Sequence, residues 1–442
     1  DTTVNLLAKL LESLDPSELL AISFSSAMHS VIAVDATGIP LTNAFTWADS
    51  RSGEYSQELI EKGIAKKLYP STGVPMHPML PLCKIIWIKN TMRTIFGLTK
   101  KFISVKEYIF FRLFGKYVVD HSIAASTGMF DIHKLQWNRE ALDVAGISSN
   151  QLSSVVPVTH IENELKREFR DMFGLATPVP FVIGSSDGCL ANIGSGAMRK
   201  GDAAVTVGTS GAVRLVTEMP TADPQQRLFS YPVTEKFFVT GGPINNGGIA
   251  LKWFAENFLQ RPFNTNEDFN WYMDQIAAVP PGSDGLIFQP YLLGERAPHW
   301  DAKARGIFFG LSFSHRREHM MRSIVEGISF ALNDVMHAVS ENNGGIERLY
   351  ASGGFVHSKA WLQLLADVLG KRISVSTTGD ASATGAAMLA FYVLKDEIDW
   401  EQFADTIVTR ATYDPDPGKH KLYQQQFRIY QSLYPKTKDL CN

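Results

Sequence analysis

Apolar positions along the chain recur with two periods, one near two and one near 3.6, and the two alternate from one end to the other. The clearest run of strands lies mid-chain. Residues 181–183 predict a buried strand, 184–188 (GSSDG) a turn into a short helix of small residues, and 203–207 and 212–216 two strands joined by Gly208-Thr209-Ser210-Gly211. Asp187 thus stands at the carboxyl end of a strand, where open α/β sheets place their chemistry. Before this stretch the pattern predicts a helix over 1–14, a turn at Asp15-Pro16, a strand over 20–25 and a hairpin of 31–34 with 39–41. Helices follow over 52–69, 83–96 and 106–114, and 120–131 reads as a polar loop of small residues. Beyond 216 come strands over 236–240, 348–352 and 373–376, and the stretch 286–293 leads into the segment that begins GERAPHWD. Helices are expected over 249–258, 355–369, from 380 onward and over 423–434. A long helix runs through Met321, Ile324, Val325, Ile328, Leu332, Val335 and Val339, with Ser314 as its expected cap.

Length turns this alternation into an expectation of two domains, because 442 residues exceed what one ordinary core organises. With 45% hydrophobic and 20% charged residues there is apolar mass for two sheets and their helices. The longest apolar runs, such as 386–394, are about half of what a membrane span needs. A formal charge of −3 without a basic block excludes an electrostatic footprint for nucleic acid, so a small-molecule partner is expected. Cys83, Cys189 and Cys441 are too few and too scattered for a disulfide framework or a zinc site, which fits a reducing cytoplasm. The first helix has neither a charged leading region nor a cleavage site, so it is not a signal peptide.

Several residues then carry candidate chemistry, each with a plainer reading beside it. Asp187 before a helix is either a cap for the first amides or an acid that takes a proton. The Gly208–Gly211 stretch is a good tight turn, and it is also a loop whose amides and hydroxyls can hold phosphate. Met28 and His29 lie at the head of the first hairpin, and Trp47, Asp49 and Arg51 lie past its foot. Taken singly, Asp49 with Arg51 is a surface ion pair and His29 a satisfied histidine. The aromatic stripes of the 83–96 and 106–114 helices read as core. A strand-glycine-helix design occurs twice, at Gly241–Gly248 and at Gly353-Gly354, and suggests a floor on which a purine and ribose lie against bare backbone. His315-Arg-Arg-Glu-His319 has the form of a zinc-peptidase motif, but two arginines fill it and no third ligand accompanies it.

Together GSSDG (184–188), VTVGTSG (205–211), GERAPHWD (294–301) with FGLSFSH (309–315), and ASGGF (351–355) are similar to the FGGY family of carbohydrate kinases. The resemblance spans nearly the whole chain. Within the family, the stretch ending in FTWADSR (45–51) is most similar to the gluconokinases, whereas xylulokinases usually follow Met-His with Gly where this chain has Ser30. The resemblance implies an α/β fold of two ribonuclease-H-like domains of the actin and hexokinase kind, with an interdomain cleft. Residues 1–196 would form the sugar-binding domain and 197–442 the nucleotide-binding domain. The reaction implied is ATP-dependent phosphorylation of a sugar acid, D-gluconate to 6-phosphogluconate, with ATP and Mg²⁺ and with Asp187 as general base. Met28, His29, Trp47, Asp49 and Arg51 would face the sugar. Gly208, Thr209 and Ser210 would hold ATP phosphate, and Gly248, Gly353, Gly354 and Ser358 would lie along the nucleotide. Glu295 and Arg296 would stand near the cleft without an assigned role, and no metal ligands are assigned. No nucleic acid or membrane partner is expected, and a homodimer is left open.

One departure from the family pattern stands out. Members begin with strands carrying a D-x-G-T-T/S phosphate motif, and here Asp1-Thr2-Thr3 leads into a helix instead. No G-x-x-x-x-G-K-[ST] replaces it. The first domain therefore lacks its N-terminal strands as the sequence stands, and the expectation is a longer native chain. Two alternatives stay open: another sugar specificity, xylulose above all, and a non-catalytic sugar or nucleotide sensor on the same fold.

Overall fold

A computed structural model of the chain describes residues 2–15, 18–175, 177–377, 379–395 and 400–440. Asp1, Pro16 and Cys441, which carried readings above, lie outside the described residues. The chain forms two compact units, one of residues 1–194, 218–239 and 382–400, the other of 195–217, 240–381 and 401–442. The chain first crosses between them after residue 194, and neither unit is a continuous segment.

In the first unit the Phe181–Ser186 strand is central to a three-stranded sheet, parallel to Ile22–Ser26 and antiparallel to Ile161–Glu162. Its side chains are buried throughout, which explains the unbroken apolar start rather than an alternation. Phe181 and Ile183 join Phe110, Leu113, Phe114 and Phe169 in one core cluster, so the aromatic stripe of the Val105–Phe114 helix is core as expected. The Thr2–Glu12 helix rests on that cluster through Val4, Leu7 and Leu11, while Leu6 and Leu10 are exposed.

Local chemistry moves several boundaries. The helix expected over 52–69 is two, Gly53–Glu61 and Ile64–Thr72, because Gly63 takes a left-handed φ of 72° between them. Likewise 83–96 divides at Met92 into Pro81–Thr91 and Arg93–Leu98. The stretch 120–131 is not a loop throughout. Asp120 accepts the amides of Ser122 and Ile123 and starts a short helix, His121–Ala125, in a segment of residues too small to show periodicity. The long helix runs over Arg317–Asn343, and its cap position belongs to Arg316, while the Ser314 hydroxyl is paired with that of Ser312.

The turn expected at 184–188 is also absent: the strand continues through Ser186 and the helix Asp187–Ser195 follows at once. The pairing Ser23↔Val182, then Ser25↔Ser185, places two residues opposite Phe24 and so forms a bulge. Gly184, at φ 70°, is the residue that makes it.

In the second unit the sheet follows the order Phe238–Ile244, Gly211–Thr217, Asp202–Val207, Arg348–Ser352, Ile373–Ser376 and Thr409–Tyr413. Asp202–Val207 is antiparallel to Gly211–Thr217 and parallel to Arg348–Ser352. The first five therefore have the 3-2-1-4-5 order of a ribonuclease-H-like sheet. Their parallel pair, 202–207 and 348–352, delivers both following glycine stretches to one end, outside the strands' carboxyl termini. No helix among the described residues is long and apolar enough to cross a membrane.

A Cβ added at Gly184 would collide with the Phe24 carbonyl oxygen. Gly184→Ala is expected to lower stability by about 2–4 kcal/mol through this clash and the left-handed φ. Urea denaturation measures it, and a loss below about 0.5 kcal/mol would mean that the bulge relaxes.

Candidate functional site

Asp187 is the first residue of its helix and is exposed, although 181–186 and 188–190 on either side are buried. Its Oδ1 accepts the neighbouring Gly188 amide at 2.7 Å. The i to i+3 cap bond falls instead to Ser186, whose Oγ accepts the Cys189 amide at 3.4 Å. The plain capping reading of Asp187 is thus served by the residue before it, and Asp187 itself is exposed at the helix N-terminus.

What holds this strand end is buried. The Ser122 hydroxyl donates to Ser186 Oγ at 2.7 Å and accepts the Ser186 amide at 3.2 Å. Ser122 is itself placed by Asp120 Oδ1, which accepts the Ser122 and Ile123 amides at 3.1 Å. The other Asp120 oxygen takes Lys106 Nζ at 2.7 Å, and the same ammonium reaches the Ser185 carbonyl at 3.4 Å. On the opposite side Gly385 lets the Ala381–Leu394 helix lie against Leu190 of the Asp187 helix, the close packing expected of its small residues.

Met28, His29, Trp47, Asp49 and Arg51 fall in neighbouring segments of this first unit. His29 is buried, has a φ of 66°, and bonds the Ser126 carbonyl through Nδ1 at 2.8 Å. A carbonyl only accepts, so Nδ1 carries a proton and donates it in this bond. Arg51 Nε donates to both oxygens of Asp49, at 2.8 and 2.9 Å, and its guanidinium lies 4.8 Å from the Phe45 ring and 5.0 Å from Trp87. Burial pushes the Asp49 carboxyl up, but the bonds and charge of Arg51, with the Lys84 charge behind them, hold it below its ordinary value. Met28 is half-buried and Trp47 exposed.

Sequence reasoning missed Lys84. It is fully buried, and its ammonium donates to the carbonyls of His29 (2.8 Å), Thr46 (2.6 Å) and Met79 (2.8 Å). Burial pulls its pKa down to about 8, against the nearby Asp49 charge. The available signal was a lysine in the apolar stripe of the 81–91 helix, beside Ile85 and one turn from Ile88.

In the second unit Gly208, Thr209 and Ser210 form the expected hairpin tip, closed by the Gly208 amide on the Ser210 carbonyl at 2.8 Å. The tip's carbonyls turn toward the Gly248–Phe258 helix. Gly208 O takes the Gly248 amide at 2.7 Å, and Thr209 O takes the amides of Gly247 (3.1 Å) and Ile249 (3.2 Å). With the Gly208 and Thr209 carbonyls spent on that helix and the Ser210 carbonyl on Gly208, the tip presents the Thr209 and Ser210 amides, which have no acceptor among the described residues. Consecutive amides of this kind form an anion-binding concavity. Gly248 serves the loop by its missing side chain and its amide. A Cβ at Gly247 would stand 2.5 Å from Ser210 O, and one at Gly248 3.0 Å from Gly208 O. Gly353, at φ 98°, comes as close to the Val207 carbonyl, where a Cβ would be 2.5 Å away. The two glycine junctions thus converge on one hairpin. Gly354 opens a 3₁₀ turn, Gly354–His357, and Ser358 caps the Lys359–Leu369 helix through the Trp361 amide at 3.2 Å, so the helix expected from 355 starts later.

The GERAP loop braces the same place. Glu295 Oε1 accepts the Asn245 amide at 2.6 Å and the Arg296 amide at 2.8 Å, while Oε2 is buried with no hydrogen-bond partner among the described residues. Arg296 holds the Asn245 side chain at 2.6 Å and the Ile244 carbonyl at 3.1 Å. The pair therefore fixes the residues that lead into Gly247-Gly248. His315 and His319 do other work: their Nδ1 atoms accept the amides of Ser312 and Arg316, and both rings turn Nε2 to Asp284. Among the described residues no group of three or more His, Cys, Asp or Glu is placed to hold a metal.

Comparison with known proteins adds the following. Residues 1–194 match the N-terminal domain of the FGGY family of carbohydrate kinases, and 203–394 match its C-terminal domain. The chain is 41% identical over 418 residues to the gluconokinase of Bacillus subtilis (strain 168), covering 93% of this chain and 82% of that protein. Two solved structures from Lactobacillus acidophilus superpose with a TM-score of 0.93 at 35% identity. The gluconate kinase covers 98% of this chain and 87% of its own, and the ligand-bound xylulose kinase 99% and 88%.

The lone oxygen of Glu295 leads to a pH dependence. Burial raises this carboxyl from 4.5 to about 7. Between those values the folded protein keeps a proton that the unfolded chain has lost, so the group's stabilising contribution is full at low pH and disappears as pH rises through 7. Glu295→Gln retains the accepting oxygen and does not titrate. Its denaturation midpoint should gain on the wild type between pH 5 and pH 8, whereas parallel midpoints across that range would place the titration elsewhere.

Proposed function

The chain belongs to the FGGY family of carbohydrate kinases, and on that premise we propose that it transfers the γ-phosphoryl group of ATP to D-gluconate, giving 6-phosphogluconate. The observation that carries the sugar is the 41% identity to a gluconokinase over 93% of the chain. A xylulose kinase with the same TM-score supports xylulose as the second reading. ATP as donor and three scattered cysteines favour the cytoplasm.

The chemistry then divides between the units. In the first, the Asp187 carboxylate accepts the proton of the sugar's terminal hydroxyl as its oxygen bonds to the γ-phosphorus and the bond from that phosphorus to the bridging oxygen of ADP breaks. A hydroxyl is a weak nucleophile, and a positioned base contributes about 10²–10⁴-fold. His29, with Met28, Trp47 and Asp49, lines the sugar side. The sugar carboxylate needs a cation, for which we propose Arg51. Its bonds to Asp49 are made by Nε, which leaves the outer guanidinium nitrogens to form a fork with the substrate. In the second unit the Thr209 and Ser210 amides, with their hydroxyls, meet phosphate charge, and Gly248, Gly353, Gly354 and Ser358 form the wall along the nucleotide. Mg²⁺ enters as part of the nucleotide substrate, held largely by phosphate oxygens and water.

Two measurements test this reading. Asp187→Asn should lose about 10²-fold or more in kcat while the sugar still binds by calorimetry, and turnover at the wild-type rate would remove Asp187 from its role. Gluconate should exceed xylulose in kcat/KM, and the reverse order would make the second reading the correct one.

A further inference from the structure

We propose that Lys84 is a positioning residue for the sugar side of the site, tying the Met28–His29 segment to the Trp47–Arg51 segment so that its ammonium sets sugar affinity without taking part in phosphoryl transfer. The inference rests on the assignment of those segments to the sugar.

An ammonium has three N–H donors, and here each meets a backbone carbonyl from a different part of the chain: His29, Thr46 and Met79. The residue has no exposed surface, so it cannot reach water in place of these bonds. The carbonyls it holds belong to the residues that aim the candidate side chains. His29 keeps a left-handed backbone at φ 66°, and the Thr46 carbonyl, which precedes Trp47, also accepts the Asp49 amide at 3.1 Å. Without the ammonium the buried carbonyls of His29 and Met79 would lose their donor and that of Thr46 would keep only the Asp49 amide, so both segments would relax toward other partners or water. The sugar would then have to order them on binding, which raises KM and leaves the transfer step as it was.

The same geometry makes the affinity respond to alkali. The titratable groups whose charge acts on the ammonium are Cys83 on its own helix and Asp49 from the 45–51 segment; Arg51 is paired with Asp49, His29 gives its carbonyl, and His77 accepts the Met79 amide at 3.2 Å. Burial pushes the Cys83 thiol up to about 12, and Asp49 is held below its ordinary value, so neither changes charge between pH 7 and pH 9.5. Lys84 loses its proton near pH 8.

The experiment is steady-state kinetics of the full chain at saturating ATP from pH 6.5 to 9.5, on the sugar that the wild type turns over best. Wild-type sugar KM should rise about tenfold above pH 8 while kcat changes less than about twofold. Lys84→Met should show the raised KM already at pH 7 and no further rise to pH 9.5, with its KM for ATP unchanged, which also reports folding of the nucleotide-binding part. A flat wild-type KM up to pH 9.5 overturns the proposal even if Lys84→Met fails to fold, and so does a variant that loses kcat at constant KM. His29→Ala separates the underlying assignment. If it leaves sugar KM unchanged, the sugar-side reading is at fault; if it raises KM and Lys84→Met does not, Lys84 is.

Discussion

The carboxylate end of the central strand in the first unit depends on a charge with no access to water. Lys106 is buried against Asp120, and burial pulls its pKa down while the aspartate charge opposes the change. An isolated buried ammonium would cost several kcal/mol, and only an excellent local geometry offsets that. Here it is a set of fixed bonds: Lys106 to Asp120 and to the Ser185 carbonyl, Asp120 to two amides of the 121–125 helix, and Ser122 to Ser186. Through these the residue just before Asp187 is held at both its amide and its hydroxyl. The exposed Asp187 therefore stands on a rigid support.

The second unit solves a different problem by removing side chains instead of pairing charges. A tip that presents its amides must turn its carbonyls elsewhere, and here those of Gly208 and Thr209 go to the start of the 248–258 helix while that of Ser210 takes the Gly208 amide. That approach is possible because positions 247, 248 and 353 have no Cβ to separate backbone from backbone. Glu295 and Arg296 then fix Asn245 in the lead-in, which gives the GERAP stretch a structural purpose. The unpaired Glu295 oxygen is the cost of that brace, borne as a raised pKa.

Both lysines follow one physical rule. Lys84 and Lys106 sit in the 81–91 and 105–114 helices, and each gathers backbone or carboxylate oxygen from segments far away in sequence. Such charges add little net stability compared with an apolar residue of the same volume. They specify geometry, because a wrong arrangement leaves a buried charge unpaired.

The alternation of apolar residues determined the strands at 181, 202, 348 and 373, the long helix behind 316, and the hairpin tip at 208–210, because each rests on a local period or on turn residues. It also placed Asp187 at a strand end and put His29 and Arg51 in adjacent segments. Tertiary contact decided the rest. Gly184 reads as a turn residue in sequence, and only the opposing Phe24 carbonyl makes it a bulge that carries the strand on to Ser186. Nothing near Lys84 in the chain announces the carbonyls of His29 and Thr46, and nothing near Gly247 announces the loop at 208–210. Local pattern encodes which face of an element is apolar. Which distant carbonyl satisfies a buried donor depends on how those faces meet, and that information exists only once the chain has folded.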